Sequence, residues 1–189
     1  ELEEDVYPHV REGKIDAWSV MADLATDRVA PWRHLPARAA GAVSRAWGAK
    51  GPCVTTFSAC AAGAEAIAEA ARSIARGEVD VALAGGHDAM AHPLGMISFE
   101  VLGAMSESVG RPFDIRRDGF LLGEGAAVLR LERADRCAEP LGYILGAGSS
   151  IDAWGVTAPH PEGVGAELSM RRALKDASVA PEAIQWVNA

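Results

Sequence analysis

The residue whose type and setting point most directly to chemistry is Cys60. It stands within Thr55-Thr56-Phe57-Ser58-Ala59-Cys60-Ala61-Ala62-Gly63, where a run of β-formers gives way to helix formers. A thiol at a helix start faces backbone N–H groups with no intrahelical partner, and it feels the positive end of the helix dipole. Both favour thiolate over thiol, and the thiolate is the nucleophile. The same N–H groups are placed to stabilise an oxyanion formed when sulfur attacks a thioester carbonyl. The small neighbours Ala59, Ala61, Ala62 and Gly63 would let a long substrate approach the sulfur closely. The local pattern alone leaves a second reading open: a small buried hydrophobe, which free cysteine often is.

Other candidate groups carry less. His9, His34, His87, His92 and His160 read as polar surface or loop residues. His87, Asp88 and His92 have metal-binding side chains, but a five-residue step between the histidines is wrong for one helix face. No metal is expected. Gly146-Ala147-Gly148 follows a strand pattern but lacks the third glycine and following helix of a dinucleotide fingerprint, so no cofactor is expected either. Glu124, between Gly123 and Gly125, reads as a carboxylate in a tight, buried turn, with a structural hydrogen-bonding role ahead of acid–base work. Asp114 and Asp118, with Arg111, Arg116 and Arg117, read as a fold-stabilising ion-pair network.

The elements that must position Cys60 follow from periodicity and punctuation. Residues 15–25 carry apolar side chains at helical spacing before Pro31 and Pro36 break the chain. Residues 36–47 read as a short helix ending near Gly48. Gly51-Pro52 signals a turn, and 53–57 reads as a strand. A helix over 60–75 places Ile67, Ala71 and Ile74 on one face, with Glu65, Glu69 and Arg72 elsewhere, and Gly77 closes it. Residues 79–84 read as a strand buried on both faces. A helix over 93–102 has Pro93 in its first turn. Then come a polar loop (106–117), a strand over 120–131 interrupted by Gly123 and Gly125, and a second strand over 141–149. A long loop at 150–165 precedes a helix over 166–177, and a last strand begins at 184–188. This alternation predicts an α/β protein with a mostly parallel, helix-covered sheet.

Composition sets outer bounds. The 189 residues are 49% apolar and 23% charged, as in ordinary globular proteins and unlike disordered chains. The 18 Lys and Arg against 26 Asp and Glu leave a formal charge of −8, so nucleic-acid binding has no electrostatic support. Cys53, Cys60 and Cys137 cannot form a complete disulfide set and contain no CxxC pair, which fits a reducing, cytoplasmic setting. No apolar run reaches the roughly 18 residues of a membrane span, and no signal peptide is visible. The acidic first residues and the apolar last ones, Gln185-Trp186-Val187-Asn188-Ala189, suggest that both ends are cut.

Several segments together resemble the β-ketoacyl synthases, thiolase-fold condensing enzymes of fatty acid and polyketide synthesis. Phe57-Ser58-Ala59-Cys60-Ala61-Ala62-Gly63-Ala64 is similar to their active-site segment. Gly48-Ala49-Lys50-Gly51-Pro52 precedes it and Asp80-Val81-Ala82-Leu83-Ala84-Gly85-Gly86 follows it, in the family's order. Arg111-Pro112-Phe113-Asp114, Arg117-Asp118-Gly119-Phe120 and Gly123-Glu124-Gly125-Ala126-Ala127 resemble the Pro-Phe-Asp and Gly-Glu-Gly elements. Thr157-Ala158-Pro159-His160-Pro161-Glu162-Gly163 resembles the proline-rich loop. The likeness covers most of the chain from Pro36 onward and is loose before it. Ala-Cys-Ala-Ala-Gly is nearer the discrete synthases than the Ala-Cys-Ser-Ser form of modular ones.

The resemblance implies a thiolase-like layered α-β-α-β-α architecture, incomplete here. Residues 1–132 would be the later part of the N-terminal half, with 1–35 loosely matched, and 133–189 the start of the C-terminal half, truncated. It implies that Cys60 takes an acyl chain from an acyl carrier protein bearing phosphopantetheine-linked acyl and malonyl groups. Decarboxylation of the malonyl group then gives a carbanion that attacks the Cys60 thioester. The family also uses two histidines, the first in a His-Gly-Thr segment expected just after Ala189. None of the five histidines present matches either, so the chain is expected to be an internal fragment inactive in condensation. Asn188 falls where it would help order a monovalent cation, and Arg111, Arg116 and Arg117 would offer an acidic carrier a local basic patch. Relatives pair as homodimers through the cysteine-bearing strand, here 53–57. The alternatives are a non-catalytic chain-length or carrier-binding partner subunit, which commonly lacks the cysteine, and another thiolase-fold acyltransferase.

Overall fold

The computed structural model describes residues 10, 11, 14–16, 19, 35–155 and 158–188. Most of the 15–25 pattern, and His9 and His34, lie outside them. Two short antiparallel strands come first, β1 (Val10–Arg11) and β2 (Lys14–Ile15), with Val10 opposite Ile15. Helix α1 (Ala37–Trp47) starts right after Pro36. A 3-10 turn, Ala59–Ala61, leads directly into α2 (Ala62–Ala75). Strand β3 (Val81–Ala89) pairs with β4 (Glu124–Glu132), and α3 (Pro93–Val101) lies between them in sequence. Helix α4 (Val164–Ala177) is followed by a 3-10 turn, Pro181–Ala183.

The helices α1 to α4 stop in the same way. After α2, the N–H of Gly77 donates to Ile74 and that of Glu78 to Ser73, with Gly77 at φ 73°. Gly48 and Gly103 play the same part after α1 and α3, and Ser178, at φ 54°, after α4. These paired bonds satisfy carbonyls the helix leaves open, and the left-handed residue is usually glycine because it has no Cβ. The expected helices at 36–47, 60–75, 93–102 and 166–177 are borne out within a few residues at each end.

Three expected strands do not form: 53–57, 141–149 and 184–188 are irregular chain with no ladder partner among the described residues. A strand exists only when another strand answers its N–H and C=O groups. None does so here among the described residues, and Val54, Phe57, Leu141 and Trp186 stand exposed. β3 runs further than 79–84 and has one neighbour, so of its side chains only Ala84 is buried. β4 is continuous from Glu124 on, because Gly125 sits in ordinary extended backbone and does not interrupt it.

The chain divides into two compact units, residues 1–57 with 86–127, and residues 58–85 with 128–189. In the first, Gly119 crosses the backbone of Met105 so closely that a Cβ would lie 2.5 Å from it, and a parallel bridge joins Met105 to Phe120. The Phe120 ring meets Phe99 of α3 edge-on at 5.2 Å. In the second, the 146–149 segment lies against α4. A Cβ on Gly146 would meet the Ala177 nitrogen at 2.4 Å, and one on Gly148 the Ser169 carbonyl at 2.2 Å. Asp176 accepts from the Ala147 N–H at 2.9 Å, and Arg172 donates to the Ser149 carbonyl at 2.6 Å. The two glycines are thus a helix-packing contact. No helix among the described residues is long and apolar enough to cross a membrane.

Candidate active site

Cys60 lies in the middle of the 3-10 turn that opens α2, in the second unit. The turn is tight: the Ala61 N–H donates to the Ser58 carbonyl at 3.1 Å and the Ala62 N–H to that of Ala59. Ala59 is held at φ 48°, a conformation that L-residues other than asparagine and aspartate seldom adopt. The thiol is free and exposed, so the buried-hydrophobe alternative does not describe it. Behind it, α2 buries Ala68 and Ile74, with Ile67 and Ala71 half-buried, which keeps the helix start facing outward.

An open cleft of about 560 Å³ adjoins this turn within the same unit. Ala61 of the 3-10 turn with Ala64 and Ala68 of α2 form one wall, and Gly148, Ser150, Asp152 and Pro159 form the other. Small side chains on α2 keep this space open, as the sequence suggested for the region around Cys60. Cys60 itself is not among the lining residues. Beyond the wall, Ser150 donates to the Gly165 carbonyl at 2.6 Å, which ties the 150–163 loop to the start of α4.

The other candidates fall elsewhere. His92 lies in the loop just before α3, as expected, but it is buried and not at the surface: it caps the helix, its Nδ1 accepting the Gly95 N–H at 3.2 Å. The cue was present in the sequence, a polar residue directly before a proline at the first helical position. His160 has its Nδ1 bonded by the Glu162 N–H at 3.1 Å and its ring 4.5 Å from Trp154. His87 and Asp88 border a shallow depression with Glu124 in the first unit. Glu124 is not in a buried turn. It opens β4, exposed, and its carboxylate makes no hydrogen bond or ion pair among the described residues.

The expected ion-pair network is only partly assembled. Arg116 grips Asp114 through two nitrogens, at 3.1 and 3.0 Å, and its guanidinium holds the Asp114 carboxyl below the usual carboxylate range. Arg117 donates to the Asp114 carbonyl. Asp118 pairs with no arginine among the described residues. It accepts from the buried Ser106 hydroxyl at 2.7 Å, and Arg111 has no ion pair among the described residues. Asn188 is exposed.

Against known proteins, the family model "Beta-ketoacyl synthase, N-terminal domain" matches residues 15–136, and "Beta-ketoacyl synthase, C-terminal domain" matches 141–189. The 3-oxoacyl-[acyl-carrier-protein] synthase 2 of Staphylococcus aureus is 37% identical over 181 residues, which cover 89% of this chain and 45% of that protein. The synthase of the same name from Coxiella burnetii is 39% identical, covering 80% of this chain and 39% of that protein. Among solved structures, a ketosynthase in complex with its chain length factor from Xenorhabdus doucetiae superposes with a TM-score of 0.72 at 34% identity. That match covers 79% of this chain and 36% of the other. A beta-ketoacyl synthase from Burkholderia phymatum gives 0.70 at 39% identity, covering 78% and 38%. The chain spans less than half the length of these relatives. On these matches and on its α/β elements, the chain belongs to the β-ketoacyl synthase family and has an incomplete, thiolase-like α/β fold.

Proposed function

We propose that this chain carries the acyl-accepting centre of a decarboxylative Claisen condensation in fatty acid or polyketide synthesis. The Cys60 sulfur attacks the carbonyl of an acyl thioester on the phosphopantetheine of an acyl carrier protein. An acyl-cysteine forms and the carrier leaves as its thiol. A malonyl carrier then loses CO2, and the resulting carbanion attacks the acyl-cysteine. The β-ketoacyl chain leaves on the carrier, two carbons longer, and the Cys60 thiol is restored. Splitting one hard displacement into two easier ones is what a covalent intermediate achieves. The observation that carries the reading is an exposed cysteine at the start of α2, beside an alanine-walled cleft.

On the same reading, residues 1–132 belong to the N-terminal half of the synthase fold and 133–189 to the C-terminal half, in keeping with family models that meet between 136 and 141. The protein works in the cytoplasm and pairs as a homodimer through the unpaired, apolar 53–57 segment. Val54 and Phe57 there are 70% and 85% exposed. No histidine of the chain stands at a family catalytic position, so these 189 residues accept an acyl group without condensing it.

The test is intact-mass analysis after incubation with an acyl-carrier thioester, with peptide mapping. One acyl group on Cys60, absent from Cys60→Ala, is expected. Acylation spread evenly over Cys53, Cys60 and Cys137 would overturn the reading in favour of a non-catalytic partner subunit.

A further inference from the structure

We draw no further inference here: the strongest candidate, the apolar surface patch formed by Phe113 and Ile115 at the tip of the 106–119 loop, carries nothing because nothing in the structure shows what covers it.

Discussion

The carboxylate of Asp152 accepts a hydrogen bond from the backbone N–H of His160 at 3.0 Å, closing the loop that borders the cleft beside Ala61. A Cβ on Gly165 would also lie 3.0 Å from the same carboxylate, so the loop is held against the start of α4. Asp152→Ala removes the acceptor and nothing replaces it. The His160 amide should then exchange with solvent about tenfold faster or more, because hydrogen bonds to charged groups are among the stronger ones. Hydrogen-exchange mass spectrometry over 158–163 reads this directly, and unchanged protection would count against the clasp.

His92 holds the first turn of α3 through its Nδ1. His92→Ala should destabilise the first unit by about 1 kcal/mol, the usual cost of a lost helix cap. His92→Asn, which can also accept from the Gly95 N–H, should recover most of it. Urea titrations of the three proteins separate a cap from simple filling of space, since alanine and asparagine would then fare alike.

At Gly146 and Gly148 the approach to α4 leaves no room for a side chain. Gly148→Ala drives a Cβ into the Ser169 carbonyl and the Ala173 nitrogen, and overpacking of this kind costs about 1–3 kcal/mol. Gly142→Ala meets open space and should change the melting temperature little. If both substitutions behaved alike in thermal melts, the helix-packing role of the two glycines would be wrong.

At the far end of α2, Arg76 donates to Glu69 at 2.8 Å and to Glu78 at 2.7 Å. Hydrogen bonds from Arg76 hold both carboxyls below their ordinary value of 4.5. With folded values below unfolded ones, the stabilisation is complete above about pH 4.5 and fades as the pH falls through the lowered values. Arg76→Gln should therefore melt slightly below the parent at pH 7. The gap should close toward pH 3 and shrink in 1 M salt, because these groups are about half exposed. A gap that persists in acid would refute the electrostatic account.

What could be read from the sequence was the local part. The helices announce themselves through alanine-rich periodicity, Pro93 at a start, and Gly48 and Gly77 at ends, and each of these acts within a few residues. The placement of Cys60 at a helix start belongs to the same class. The segments 53–57, 141–149 and 184–188 differ from expectation because β-propensity describes a side chain's fit to a pleated surface and says nothing of whether a neighbour is present. Glu124 differs for a related reason: flanking glycines permit a turn without requiring one. Proximity in sequence points Asp118 to an arginine, whereas its partner, Ser106, comes from twelve residues away.

Ala59 sits in the left-handed region immediately before the cysteine. An L-residue held there costs about 1–2 kcal/mol, a penalty glycine escapes. Glycine at this position would raise the melting point while giving the chain just ahead of the sulfur new freedom to wander. Thermostability and reactivity would be pulled in opposite directions by one methyl group, so a heat-selected library would discard the residue that a library selected for acyl transfer to Cys60 keeps.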